Sequence, residues 1–92
     1  MKATARVRVW VTGRVQGVGF RWATRRRARS LGLAGFVQNL ADGRVEILIE
    51  GEDGAVRQGL EYLRRGPPGS SVVQVELNWE EPQGEFAVFS VR

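Results

Sequence analysis

The chain has 92 residues, enough for one hydrophobic core and too few for two. It contains no cysteine and no histidine, which excludes disulfides, thiolate nucleophiles, zinc sites built on Cys or His, and any triad that uses imidazole as its base. The net charge of +4 is unevenly spread: residues 1–44 hold ten Lys or Arg against one acid, and residues 45–92 hold four Arg against nine acids, so an anionic partner is expected to meet the first half.

Residues 5–12 alternate, with Val7, Val9 and Val11 on one face and Arg6, Arg8 and Trp10 on the other, which predicts a strand covered on one side only. Gly13 to Gly19 follow as a glycine-rich loop. A helix then opens at Phe20 or Arg21 and runs to Leu31, with Gly32 as its stop. Its inward stripe is Phe20, Ala23, Thr24, Ala28 and Leu31, and Arg25, Arg26 and Arg29 point outward. Leu33–Leu40 reads as a strand, Ala41-Asp42-Gly43 as a hairpin turn, and Arg44–Glu50 as the returning strand with Val45, Ile47 and Ile49 on one face.

Asp53 is placed to cap a second helix, whose Val56, Leu60 and Leu63 recur with helical spacing up to about Arg65. Gly66-Pro67-Pro68-Gly69 cannot continue it. Val73, Val75, Leu77 and Trp79 alternate on a further strand, Glu80–Gly84 turn the chain, and Phe86–Val91 form a short last strand. The β-α-β-β-α-β order with an extra C-terminal strand predicts an α+β fold. This is a ferredoxin-like sandwich over residues 1–92, mainly antiparallel, with both helices on one face. That fold hosts many activities, so function has to be argued from a site. No apolar stretch approaches the roughly eighteen residues that span a bilayer, and the Arg-Val alternation near the start cannot form a signal-peptide core. The expected location is cytoplasmic.

The informative stretch is Gly13-Arg14-Val15-Gln16-Gly17-Val18-Gly19-Phe20-Arg21. A helix N-terminus presents unpaired N–H groups and a partial positive charge, and glycines let the preceding backbone turn its amides around a ligand. An arginine in the first turn opposes the helix dipole, so a bound anion would compensate it, and its planar fork suits two phosphate oxygens. The nucleotide P-loop pattern is absent, and the dinucleotide pattern fails because Trp22 stands where its last glycine belongs. Taken alone, the stretch also fits a plain strand-to-helix connector. Further on, Gly35-Phe36-Val37-Gln38-Asn39 precedes Asp42-Gly43, and Asn39 shares a face with Val37, continuing a buried row at the strand's end. An amide there can donate and accept, as positioning a water requires, and it equally fits an asparagine bonded to the turn backbone.

Together these segments resemble the acylphosphatase family over nearly the whole chain. The resemblance rests on Gly13 to Arg21 as written above, and on Leu31-Gly32-Leu33-Ala34-Gly35-Phe36-Val37-Gln38-Asn39 with Asp42-Gly43-Arg44-Val45-Glu46. It implies a hydrolase that splits acyl phosphates into carboxylate and inorganic phosphate, with Arg21 binding the phosphate and Asn39 orienting the attacking water. It further implies that the main-chain amides of Arg14, Val15, Gln16, Gly17 and Val18 cradle the phosphoryl oxygens, and that Arg21 can meet a terminal carboxylate supplied by Arg92.

Phosphoryl transfer is mainly positioning and charge stabilisation, which an arginine and backbone amides can supply. The segment offers no general acid. An alkoxide leaving group would need one, whereas a departing carboxylate, with a pKa of roughly 4, does not. The expected substrate is therefore a small acyl phosphate, with inorganic phosphate or sulfate as a further site ligand. No metal, cofactor, nucleic acid or membrane is expected to take part, and the protein is expected to be a monomer.

Two other classes compete. RNA-recognition modules share the topology and a basic half, but their signature aromatics belong on the third strand, which here reads Val45-Glu46-Ile47-Leu48-Ile49. An accessory domain of a larger assembly could keep the loop without the activity. The absence of a linker favours a free-standing protein.

Overall fold

The computed structural model describes residues 4–92, and alternating apolar residues build most of its strands. In chain order the elements are β1 (Ala5–Arg14), α1 (Phe20–Ser30), β2 (Ala34–Asn39), β3 (Val45–Gly51), α2 (Asp53–Arg65), β4 (Ser71–Glu80) and β5 (Phe89–Val91). They form one sheet in the order β4-β1-β3-β2-β5. All neighbours are antiparallel except β2 and β5, which run parallel with Gly35, Phe36 and Val37 opposite Phe89, Ser90 and Val91. This is the expected α+β ferredoxin-like arrangement. Both helices lie on the face that presents Val7, Val9, Val11, Val37, Val45, Ile47 and Ile49, and these pack with Phe20, Ala28, Val56, Leu60, Leu63 and Phe89 into one core. Burying each of the Val, Ile, Leu and Phe side chains among these contributes about 1.5–3 kcal/mol.

Several boundaries and caps differ from the sequence reading, those of β2 and β3 by one residue at each end. β1 continues to Arg14, because its pairing with β4 resumes after an irregularity between Thr12 and Gly13 and sets Arg14 opposite Ser71. α1 ends at Ser30, with Leu31 as the C-cap. The α2 cap is Glu52 rather than Asp53. Asp53 instead begins the helix: its N–H donates to the Thr4 hydroxyl at 2.7 Å, and its carboxylate accepts from Arg57 one turn later at 2.9 Å. The last strand spans only Phe89–Val91.

The largest correction concerns the second face of the sheet. Arg6, Arg8 and Trp10 were expected to face water, yet the Arg6 side chain is 6 % exposed and Phe36, Leu48 and Glu50 on that face are buried. Residues 81–88 run from β4 at one edge to β5 at the other and cover it. Gln83 and Gly84 donate their N–H groups to the Glu50 carboxylate, Glu85 pairs with Arg6 at 2.6 Å, and Phe86 packs on Phe36 with ring centroids 5.8 Å apart. A chain leaving one edge for the far edge must cross a face. The helices occupy the other one.

Candidate active site

β1 delivers the chain into a loop over Val15–Gly19, and the buried Val15 side chain anchors that loop in the core beneath it. Gly17 (φ 72°) and Gly19 (φ 79°) are left-handed, and no non-glycine residue described has positive φ, so Gln16 and Val18 keep negative values. Alternation of this kind turns successive N–H groups toward one side and makes a concavity suited to an anion. Gly19 is also the N-cap of α1, which has no side-chain cap and no acid in its first turn. The positive end of the dipole is left uncompensated. Among the described residues, no main-chain N–H from Val15 to Trp22 donates to an acceptor in the chain. The first to do so is Ala23, to the Gly19 oxygen at 3.1 Å.

The loop is tied sideways to the β2–β3 turn. Gln16 Nε2 donates to the main-chain oxygens of Leu40 at 2.8 Å and Arg44 at 3.0 Å. Sequence reasoning counted Gln16 only for its backbone amide. Its one signal was a long two-donor side chain between glycine turns, able to reach an adjacent segment. The turn is closed by Asp42, whose carboxylate accepts from the Arg44 N–H at 3.0 Å and from Arg44 Nε at 2.8 Å. Those bonds, the backbone N–H first and the guanidinium second, hold the Asp42 carboxyl below its ordinary pKa.

Asn39 takes no part in closing the turn. It stands at the end of β2 opposite Val45, and among the described residues its side-chain amide has no hydrogen-bond partner. Val37 two residues earlier is fully buried, but Asn39 is exposed, because the row leaves the core where the strand ends.

Arg21 reaches the same place from the helix. Its Nη1 donates to the Arg92 main-chain oxygen at 2.8 Å, and the Arg92 N–H donates to the Val37 oxygen at 2.8 Å. Through Arg92, the Arg21 side chain is linked to β2 at Val37, two residues before Asn39. The contact expected between Arg21 and Arg92 is thus present at the main chain. Among the described residues no Asp or Glu lies within 4.0 Å of Arg21.

The fold therefore gathers Val15, Gln16, Gly17 and Val18, Arg21 and Asn39 around one end of the sheet. Of the expected cradle, Arg14 alone belongs to the strand instead of the loop. Uncommitted amides, one guanidinium and one free carboxamide can receive an anion and hold a water beside it. Among the described residues, no group of three or more His, Cys, Asp or Glu is placed to hold a metal ion, and no helix is long and apolar enough to cross a membrane.

Comparison with known proteins gives a consistent result. A family model described as acylphosphatase matches residues 7–91. An acylphosphatase of Rubrobacter xylanophilus is 50% identical over 91 residues, covering 99% of this chain and 83% of that one. The crystal structure of an acylphosphatase from Bacillus subtilis superposes with a TM-score of 0.92 at 38% identity, covering 97% of this chain and 99% of that one. The structure of Thermococcus kodakarensis HypF is also similar, with a TM-score of 0.82 at 32% identity over 97% of this chain, but the match covers only 12% of that larger protein.

Proposed function

The chain belongs to the acylphosphatase family and hydrolyses acyl phosphates, and on that premise we propose that Arg21 and Asn39 perform the reaction over a phosphate-binding loop. The observation that carries this assignment is the run of uncommitted amides from Val15 to Trp22, flanked by a guanidinium that no Asp or Glu side chain engages and by a carboxamide without a hydrogen-bond partner among the described residues. The loop amides receive the phosphoryl oxygens and Arg21 spans two of them. Asn39 holds a water in line with the bond to the acyl oxygen. As the water oxygen bonds to phosphorus, the P–O bond to the acyl group breaks and its electron pair leaves on the carboxylate. The water's proton passes to a phosphoryl oxygen. Because the carboxylate leaves without protonation, the reaction calls for no general acid.

We further propose that catalysis is independent of metal, that the protein acts as a cytoplasmic monomer, and that residues 1–92 form a single domain. Supporting the enzyme reading over an RNA-binding module, the sheet face on which bases would stack carries Glu46, Glu50 and Glu80 and lies under residues 81–88. The test is hydrolysis of an aromatic acyl phosphate by purified, folded protein in excess chelator. Turnover at the untreated rate is expected. Loss of activity that returns only with added divalent metal would overturn metal independence.

A further inference from the structure

Arg21 is oriented by a main-chain oxygen, which raises the question of what orients Arg92. Its N–H is bonded to Val37 on β2, and its guanidinium carbon lies 3.8 Å from the centroid of the Phe36 ring and 5.7 Å from that of Phe86. The two rings are tilted by 60°, and Arg8 and Arg6 approach them at 5.9 Å and 6.0 Å. Those arginines are in turn fixed by Glu80, at 2.9 Å and 2.8 Å. The Arg92 side chain thus rests on a rigid aromatic surface on the sheet face away from the helices, while its oxygen meets Arg21.

Docking of α1 on β5 does not depend on this contact. Arg29, two turns further along the helix, donates from Nε to the Phe89 oxygen at 3.0 Å, and Phe20 and Ala28 are buried beneath. What the Arg92 contact governs is the direction of the Arg21 guanidinium. We propose that the Arg92 side chain is a positioning residue for Arg21, held in place by its stack on Phe36 and Phe86. The inference rests on the role proposed above for Arg21. It adds that residues on the opposite face of the sheet set the geometry of the phosphate site.

The test uses the full chain, an aromatic acyl phosphate as substrate and inorganic phosphate as competitive inhibitor. Arg92→Ala keeps every main-chain atom, so its effect belongs to the side chain. The expected result is a fall of about three- to tenfold in kcat/KM and a matching rise in the phosphate inhibition constant, the range that loss of one aromatic–cation contact allows. Phe86→Leu should reproduce that loss, and Phe86→Tyr, which keeps a ring face, should restore wild-type values. In an Arg21→Ala background, Arg92→Ala should change the remaining activity by less than about twofold, because its route is already cut. Should Arg92→Ala melt early, Arg92→Met keeps the aliphatic stem and is expected to show the same kinetic loss. An effect of Arg92→Ala that persists undiminished without Arg21 overturns the inference. A crippled Arg21→Ala beside an Arg92→Ala with unchanged phosphate inhibition overturns it alone. Wild-type kinetics in Arg21→Ala overturn the proposed site and the inference together.

Discussion

Arg21 and Asn39 are assigned different steps, and their variants should separate. In the proposed mechanism the guanidinium holds the phosphoryl group in the ground state and the transition state alike. Arg21→Ala should therefore lower kcat/KM by about 10²–10³ and weaken inhibition by inorganic phosphate, as expected for losing a preorganised donor. Asn39 is proposed to meet the water and not the phosphate. Asn39→Ala should leave phosphate inhibition within about twofold of wild type while kcat falls by about a hundredfold or more. Steady-state kinetics with phosphate as inhibitor measure both, and parallel changes in the two variants would contradict the division. Gln16 acts one step back, through its bonds to the Leu40 and Arg44 oxygens. Both assigned residues were legible as candidates because their types are unusual for their places, an arginine at a helix start and an asparagine in an apolar strand row. The tether through Gln16 was not, because hydrogen bonds to another segment's carbonyls leave no periodic trace.

At the level of the strands and helices, two glycines show how local and tertiary demands differ. Gly19 caps α1 at φ 79°, and a Cβ there would meet nothing within 4 Å. Its requirement is purely conformational. Gly19→Ala should cost about 1–2 kcal/mol in urea unfolding and should weaken phosphate inhibition as the loop amides swing. Gly35 has φ 136°, and a Cβ on it would collide with the Leu48 carbonyl of β3. Gly35→Ala cannot be accommodated by a side-chain movement, since backbone meets backbone. It should destabilise the protein by more than about 3 kcal/mol, measured by the same unfolding experiment, because it forces β2 and β3 apart. The periods of the two helices and of β1 and β3 were readable from apolar spacing, whereas in β4 the row expected through Val73 breaks opposite Thr12 and Gly13, so that Val72 joins Val75 and Leu77 against the core and Val73 is 77 % exposed. The length of β5 was not, since only Phe89–Val91 pairs with β2, and pairing is a property of the neighbour.

Across the whole molecule, the second face of the sheet is an ionic layer. Arg6 meets Glu80 at 2.8 Å, Glu85 at 2.6 Å and Glu50 at 3.8 Å, and Arg8 meets Glu80 at 2.9 Å and Glu46 at 3.2 Å. Hydrogen bonds from Arg6 first and Arg8 second hold the Glu80 carboxyl below its ordinary pKa. A carboxylate depressed by folding stabilises the native state above its unfolded pKa of about 4.3, and that contribution is lost as pH falls through the native value. Glu80→Gln should therefore be less stable than wild type at pH 7, and the gap should close on acidification below about pH 4. Thermal melts across that range measure it, and a gap that stays constant with pH would show that Glu80 contributes by packing alone.

The sequence by itself determined the order and kind of the elements, the core faces of β1 and β3, and the short segments from which the site is drawn, because apolar spacing and glycine placement are local properties of a chain. The tertiary structure decided what those segments meet. Only the folded sheet brings Arg21 to Arg92, and both to the strand that ends in Asn39. Only the path of residues 81–88 turns Arg6 and Glu50 from apparent surface charges into buried, paired ones. An arginine alternating with valine carries the same pattern whether water or a glutamate some seventy residues away, as Glu80 is from Arg6, satisfies it.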